Sequence, residues 1–267
     1  MAETDTERAE RFAREAAATP TLTEAEYRVR SRRSVLFGGA AALAGVAGWR
    51  WIQTRPEDNN IPSVLRDAHE FNEALWTPLH RDDHLAPTFD RSESSILRVN
   101  GRHGLRNEEE IDIDAWRLDV RGPDGDQIGE YSLADIQALP KVEWTVEHKC
   151  IEGWSHVVTW GGVTFSDFAE LHRADLGDGG TTYVNLDTPD GEYFVSVDWA
   201  SMMHPQTMLA WELEGEPLDF PHGAPLRLAT PVKYGIKQIK RIGTIEFSNQ
   251  RGPDFWESRG YDWYAHL

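Results

Sequence analysis

A chain of 267 residues is long enough for one large domain, and its 40% hydrophobic residues supply a substantial core, which excludes wholesale disorder. The net charge of −18 argues against nucleic acid as a partner, because phosphate backbones bind basic surfaces. Only five of the 27 basic residues are lysines, and this acidic, Lys-poor composition fits either a salt-rich habitat or a strongly solvated exterior.

The N-terminal segment has the pattern of an export signal. Arg32 and Arg33 stand in "SRRSVLF", and a Gly/Ala-rich apolar run of about 15 residues follows from Val35 to about Trp49. An arginine pair ahead of such a run is typical of the twin-arginine route, whose clients are exported folded and often carry a cofactor. The run is shorter than the roughly 20 residues that cross a bilayer comfortably. Cleavage at 42–44 ("ALA") and retention as an anchor both remain open, and we expect a periplasmic or extracytoplasmic protein.

The remaining chain predicts one α+β domain. We expect a tail, signal or anchor and linker over 1–56, and a single mixed α/β domain over 57–267. Helices are predicted in "SVLRDAHEFNEALW", "LADIQALP" and "FSDFAELHRADLG", the last with Ser166 as N-cap. Strand patterns include "VEWTVEHKC", "APLRLATP" and "RIGTIEF", and "TTYVNLDTPDGEYFVSVD" predicts a hairpin around Pro-Asp-Gly.

The single cysteine, Cys150, lies in "HKCIEGWSHVVTW". One Cys excludes an intramolecular disulfide, and such a residue is often simply a small buried hydrophobe. His148 would share its face of a strand, so a nucleophile and base pair of a hydrolase is a second interpretation. We favour a third, a metal ligand, because a thiolate bound to metal is protected from oxidation outside the cytoplasm.

Several polar clusters suit an anionic or heterocyclic ligand. "TPVKYGIKQIKRIG" holds three of the five lysines within nine residues, which predicts an anion site in so acidic a chain. His222 and Arg227 flank a Gly-Ala-Pro turn, and a guanidinium suits bidentate phosphate contacts. Asn59 and Thr188 could hydrogen-bond a polar ring, although both types are ordinary in turns. Four further histidines match no compact zinc motif and are interpreted as solvated loop residues: His69, His80, His84 and His103.

Three stretches together resemble the molybdopterin-binding domain of the sulfite oxidase superfamily. They are "KCIEGWSHVVTWGGV", "MMHPQTMLAWELEGEPLDFPHGAPLRLATPVKYGIKQIKRI" and "PDFWESRGYDWYA". The motifs C-x-E-x-W-S, H-G-x-P-x-R and K-Y-G-x-K-x-I-K follow in this order, and the resemblance covers roughly residues 57 to 267. Within the superfamily the chain is most similar to the catalytic subunits of bacterial periplasmic protein-methionine-sulfoxide reductases.

The resemblance implies a molybdenum-molybdopterin cofactor whose metal is coordinated by Cys150. It also implies further cofactor-binding residues: Asn59, Thr188, His222, Arg227, Gln238, Ile239 and Lys240. At 222 the methionine-sulfoxide enzymes carry Asn and the sulfite oxidases carry His, so this chain mixes features of both. The anion of the basic cluster is then the pterin phosphate. Four residues are expected either to line the pocket or to pack behind it: Glu152, Trp154, His156 and His204.

The predicted activity is molybdenum-dependent oxygen-atom transfer outside the cytoplasm, with reduction of a sulfoxide or related S- or N-oxide favoured. Sulfite oxidation is less favoured because a dianion needs a cationic pocket, for which Lys149 and His148 are the local candidates. A cofactor-free binding module that retains the fold is the alternative from another class. The expected partners are a small-molecule or protein-bound oxide and a separate electron carrier such as a membrane haem protein, since no haem or dimerisation domain is expected to be appended. The protein is expected to be a monomer.

Overall fold

The computed structural model describes residues 8, 14, 23–58, 61–76, 84–105, 111–176 and 181–267. These fall into two units, 1–56 and 57–267. Helix α1 (Glu24–Gln53) dominates the first unit and has 30 residues, none of them buried. It begins at a capping box in which Thr23 and Glu26 satisfy each other's backbone N–H groups. The helix extends well beyond the 15-residue apolar run, and among the described residues it alone is long and apolar enough to span a membrane.

The second unit is built from short strands and short helices. Its chain order is β1 (Glu57–Asp58), β2 (Ile61–Pro62), α2 (Ser63–Trp76), β3 (Leu118–Arg121), β4 (Gln127–Tyr131), α3 (Leu133–Gln137), β5 (Val142–Lys149), β6 (Ser155–Thr164), α4 (Phe165–Glu170), α5 (Arg173–Leu176), β7 (Tyr183–Asp187), β8 (Phe194–Asp198), α6 (Trp199–Met202), β9 (Met208–Leu213), β10 (Glu216–Pro217), β11 (Arg227–Ala229) and β12 (Thr244–Ser248). This mixture confirms the predicted α+β class.

Two five-stranded sheets organise the unit, and strands β1 and β2 form a separate small ribbon. The first sheet has the order β10-β9-β6-β5, with β11 also paired to β9, and all of its pairs are antiparallel. The second sheet has the order β4-β3-β12-β7-β8, in which only the β12–β3 pair is parallel. Because β5 and β6 pair Lys149 with Ser155, the chain turns back between them at Cys150.

The core follows the alternation of the strands. In β3 and β12 every second side chain is buried, as Leu118, Val120, Ile245 and Phe247 illustrate with no solvent exposure. These residues belong to the larger of two hydrophobic clusters, and the smaller cluster lies at the sheet that contains β5 and β6. The cavity described below is bordered by that smaller cluster through Leu97.

One predicted helix differs from the structure. "FSDFAELHRADLG" forms two short helices, α4 and α5, and the N-cap of α4 is Thr164 instead of Ser166. Thr164 Oγ1 accepts the backbone N–H of Asp167 at 3.1 Å, whereas the Ser166 hydroxyl only donates to Thr164. The helices separate at His172, whose buried ring packs against Phe168 and Phe247 in the core. Helix α2 and the hairpin of β7 and β8 are confirmed.

Candidate active site

A cavity of about 130 Å³ lies where the end of β5 meets the loop 97–103, the turn before β11 and the segment 235–240. His148, near the end of strand β5, lines the cavity, and the β5–β6 turn forms one wall. The cavity therefore gathers segments that lie far apart along the chain, from Leu97 to Tyr261.

Cys150 lies on this cavity with 7% of its surface exposed. Its backbone N–H donates to the carbonyl of Trp154 at 2.9 Å, which closes a tight turn through Gly153 at φ 89°. Asn100 Nδ2 donates to Cys150 Sγ at 3.6 Å. The thiol is thus fixed in position and supported by one amide donor, an arrangement that also suits the thiolate form.

His148 lines the same cavity, but it does not form the hydrolase pair. Its Nδ1 lies 3.1 Å from Gln238 Oε1, and Gln238 Nε2 already donates to the carbonyls of Thr230 and Lys233. Because Gln238 Oε1 can only accept, His148 Nδ1 carries the proton and Nε2 presents a lone pair. Burial, together with the Arg227 cation, lowers the pKa of His148 to about 3, so the ring is neutral. No hydrogen bond joins His148 to Cys150 in the part of the chain that the structure describes.

Arg227 is the buried cation of the site. With 2% exposure it donates to the backbone carbonyls of His222 at 2.8 Å and Gln238 at 3.3 Å, and it lies 4.4 Å from the centre of the Trp160 ring. No carboxylate pairs with it among the described residues, and burial lowers the pKa of the guanidinium to about 9. A buried charge without a counter-ion is costly, so this position favours an anionic ligand.

Lys240 supplies a second cation. Its ammonium group donates to the carbonyls of Asn100 at 2.6 Å and Pro221 at 2.8 Å, which joins two walls of the cavity. Burial and the nearby Arg227 lower the pKa of Lys240 to about 7. A ligand phosphate would reverse this shift, because a nearby anion favours the charged ammonium.

The other two lysines of the predicted basic cluster lie elsewhere. Lys233 pairs with Asp198 at 2.8 Å, and Lys237 pairs with Asp254 at 2.6 Å, all four carboxylate and ammonium groups being largely buried. The prediction of a single three-lysine anion site is therefore wrong, because two of its charges are neutralised by internal ion pairs. Sequence proximity within "KYGIKQIK" does not place these side chains on one face.

His222 lies at the cavity, but both of its ring nitrogens are engaged. Nδ1 lies 2.6 Å from Asp219 Oδ1 and Nε2 lies 3.0 Å from the carbonyl of Leu97. Both partners are hydrogen-bond acceptors that hold the ring in place. The ring of His222 therefore holds the loop at Leu97, and the backbone carbonyl of His222 accepts a hydrogen bond from the Arg227 guanidinium.

The remaining predicted site residues differ in position. Asn59 lies outside the described residues. Gln238 lines the cavity and orients His148, whereas Ile239 is fully buried in the core. The hydroxyl of Thr188 donates to Asp190 at 2.6 Å and accepts from the N–H of Tyr193 at 3.1 Å, so it closes the β7–β8 turn and is not among the cavity-lining residues.

The four pocket candidates divide equally. Glu152 and Trp154 line the cavity, whereas His156 contacts Ser95 and His204 is buried beside Gln206 and His84. His156 and His204 therefore act in packing. Among the histidines interpreted as solvated, His103 instead lines the cavity and packs on Phe255 with 4.6 Å between ring centres.

Sequence reasoning missed the loop before β3. Arg98, Asn100 and His103 all line the cavity, and Asn100 is the residue that contacts the thiol. The stretch "ILRVNGRHGL" lies about fifty residues before Cys150 and contains no motif that was assigned to the site. The available signal was its Asn-Gly-Arg-His run, in which polar residue types stand beside a turn-forming Gly.

The donor set fits a metal complex with an anionic organic chelate. Cys150 offers a soft sulfur ligand, Arg227 and Lys240 lack carboxylate partners among the described residues, and His148 offers one unpartnered acceptor. Gly235 keeps the cavity open, since a Cβ there would lie 3.0 Å from His148 Nε2. In the described chain no group of three or more His, Cys, Asp or Glu side chains could hold a metal by itself. A bare metal site is thus less suitable than one completed by a cofactor.

An α+β fold with a thiol and buried cations on one cavity has the features of a cofactor-dependent redox protein. The chain belongs to the oxidoreductase molybdopterin binding domain family, whose model matches residues 104–256, and it is an oxidoreductase. The predicted family is confirmed.

Named relatives extend this result. The chain is 33% identical over 237 residues to the putative protein-methionine-sulfoxide reductase subunit YedZ1 of Azospira oryzae, covering 88% of this chain and 85% of the relative. It is 29% identical to the protein-methionine-sulfoxide reductase catalytic subunit MsrP of Xanthomonas campestris, covering 91% and 78% of the two chains. Among solved structures, the sulfane dehydrogenase SoxCD of Paracoccus pantotrophus is similar with a TM-score of 0.47 and 19% identity, over 53% of this chain and 40% of that one.

Proposed function

We propose that this protein is a molybdenum-molybdopterin enzyme that reduces a sulfoxide, or a related S- or N-oxide, outside the cytoplasm. One observation carries the proposal: a buried thiol, Cys150, and a buried cation without a carboxylate partner among the described residues, Arg227, share one cavity. The family supports the cofactor, and the names of the relatives support a sulfoxide substrate.

Each residue of the site then has a defined task. Cys150 would coordinate the metal, and Asn100 would hydrogen-bond the coordinating sulfur. Arg227 and Lys240 would bind the phosphate of the pterin, and His148 would accept a hydrogen bond from the cofactor. The bound cofactor supplies two-electron oxygen-atom transfer chemistry. Its other proposed contacts, at Asn59, Thr188, His222, Gln238 and Ile239, rest on the family resemblance alone.

Sulfite oxidation has weaker support. Of the two cations considered for a sulfite dianion, Lys149 is paired with Glu147 at 3.5 Å, and burial keeps the pKa of His148 at about 3, which makes it neutral. Neither residue offers a free charge to a dianion. A neutral oxide needs no such charge, because the S=O oxygen is only a hydrogen-bond acceptor.

Two measurements on purified protein test the proposal. The first is the molybdenum and pterin content per chain, which we expect to approach one of each; a binding module without cofactor would contain neither. The second compares sulfoxide reduction by a reduced viologen dye with sulfite oxidation by a ferric acceptor. Sulfite turnover without sulfoxide turnover would overturn the assignment of substrate.

Localisation and electron supply complete the proposal. The arginine pair at 32–33 within α1 supports twin-arginine export, and α1 serves as signal or anchor. Electrons would come from a separate carrier, such as a membrane haem protein. Fractionation of cells that express the wild-type chain or an Arg32→Lys, Arg33→Lys variant tests the route, with cytoplasmic accumulation of the variant as the expected result. Equal export of both would exclude it.

A further inference from the structure

The loop 97–104 is fixed to the cavity by hydrogen bonds to side chains from two other segments. The ring of His222 places Nε2 at 3.0 Å from the carbonyl oxygen of Leu97. The ammonium group of Lys240 donates to the carbonyl of Asn100 at 2.6 Å. A charged donor makes the second bond stronger than one between neutral groups. The loop is therefore held at two points by residues that also border the cavity.

Two close approaches that depend on glycine fix the same loop further. Gly104 has φ 71°, and a Cβ there would overlap the methyl group of Thr188. Gly223 has φ 107°, and a Cβ there would lie 2.8 Å from Lys240 Cβ, so Gly223 leaves room for the lysine that holds the loop. The loop backbone is thus set by packing as well as by hydrogen bonds, and it presents the Asn100 side chain from a fixed position.

The Asn100 side chain is directed at the candidate metal ligand. Its Nδ2 donates to Cys150 Sγ at 3.6 Å. A thiolate that binds a metal carries no proton and can only accept, so the amide presents its N–H to the sulfur. A hydrogen bond to a coordinating sulfur withdraws electron density from the metal and stabilises its reduced state, which raises the reduction potential.

From these contacts we infer that Asn100 is a positioning residue that acts through Cys150 to raise the reduction potential of the bound molybdenum, and that Lys240 holds Asn100 in place. The inference rests on the proposed function, because it requires a metal at Cys150, and it adds a residue that controls the metal. A higher potential makes the metal easier to reduce by the electron carrier and a weaker reductant toward the substrate. The loop 97–104 therefore sets the balance between the two half-reactions.

A redox titration of the molybdenum-loaded protein, followed by electron paramagnetic resonance, tests the role of Asn100. Asn100→Leu keeps the branched shape of the side chain but removes the donor. We expect the ratio of oxidised to reduced metal at a given potential to rise about tenfold, which lowers the one-electron midpoint by about 59 mV. Asn249→Leu is the matched control, because Asn249 is exposed and is not among the cavity-lining residues, and its midpoint should equal that of the wild type.

Amide hydrogen exchange of the cofactor-free chain tests the role of Lys240 without any metal. Lys240→Met removes the donor to the Asn100 carbonyl, so amide exchange over 97–104 should become about tenfold faster than in the wild type. The β7–β8 hairpin in the same sample is the internal control, and its exchange should be unchanged. Equal exchange over 97–104 in the two proteins would show that Lys240 does not hold the loop and would overturn that part of the inference.

The outcomes of the titration separate this inference from the proposed function. Molybdenum-loaded Asn100→Leu with the midpoint of the wild type would overturn the inference and leave the proposed function intact. Asn100→Ala, which is smaller and also lacks the donor, replaces Asn100→Leu if that variant contains no molybdenum. Loss of molybdenum from both variants would show that Asn100 is needed to bind the metal and would overturn the role in setting its potential. Wild-type protein without molybdenum would overturn the proposed function itself.

Discussion

The guanidinium of Arg227 lies against the indole of Trp160, 4.4 Å from its centre, and its hydrogen bonds go to backbone carbonyls. Carbonyl oxygens and an aromatic face stabilise a cation but do not neutralise it. Binding of an anion next to this buried charge therefore stabilises the folded protein. Arg227 thus connects the stability of the chain to occupancy of the cavity.

We predict that Arg227→Gln lowers the pterin content of the purified protein at least about tenfold, because charge-assisted contacts to a phosphate are lost. The free energy of unfolding of the cofactor-free protein should fall little or rise, since a buried unpaired charge is removed. Pterin fluorescence after oxidation and urea unfolding measure the two effects. Arg117→Gln is the control, because the Arg117 guanidinium donates to the carbonyls of Asp114 and Trp116 and is not among the cavity-lining residues. Unchanged pterin content in Arg227→Gln would contradict the assignment.

Cys150→Ser tests the metal ligand. The substitution is close in volume, so the fold should be retained, but a hydroxyl is a poorer ligand for a soft metal complex. X-ray absorption at the molybdenum edge should show one sulfur scatterer fewer than in the wild type, and sulfoxide turnover should fall by at least about a hundredfold. An unchanged sulfur count would show that another group binds the metal.

The stability of the cofactor-free protein should rise with pH between about 7 and 9.5. Burial lowers the pKa of Lys240 to about 7, that of Lys233 to about 8 and that of Arg227 to about 9, so over this range the unfolded chain binds more protons than the folded one. The cost of holding these charges is fully present below the folded pKa values and is relieved above them. Urea unfolding in a phosphate-free buffer measures the slope.

Removing Lys240 should flatten that slope. Lys240→Met eliminates the group with the lowest of the three pKa values. Added inorganic phosphate should also flatten it in the wild type, because an anion bound at Lys240 restores the charged form. Equal slopes in Lys240→Met and wild type would contradict the burial argument.

Breaking the buried ion pair of Lys237 and Asp254 should lower the free energy of unfolding more than breaking an exposed ion pair does. Asp254→Asn keeps the side-chain shape but leaves the Lys237 charge buried and unpaired, which should cost about 3 kcal/mol in the free energy of unfolding. The exposed pair of Glu170 and Arg173 supplies the contrast, and Glu170→Gln should cost less than about 1 kcal/mol. Chemical denaturation of both variants measures the two losses in the free energy of unfolding. Similar losses would show that burial does not determine how much an ion pair contributes to stability.

Local pattern was enough for much of the fold. Alternation in "VEWTVEHKC" and the Pro-Asp-Gly turn specified β5 and the β7–β8 hairpin, because side-chain period and turn chemistry are properties of neighbouring residues. The cap of α4 was misassigned, since Thr164 and Ser166 are both good capping types and the start of the helix is fixed by the end of β6.

The sequence by itself determined the family, the thiol motif and the H-G-x-P-x-R and K-Y-G-x-K-x-I-K motifs, since these depend on residue types at fixed spacing. Only the tertiary structure decided which charges meet. It paired Lys233 and Lys237 with Asp198 and Asp254, left Lys240 at the cavity, and brought Asn100 and Arg98 to a cysteine about fifty residues further on. The physical reason is that ion pairing and desolvation depend on distance and burial, which chain packing sets and local sequence does not.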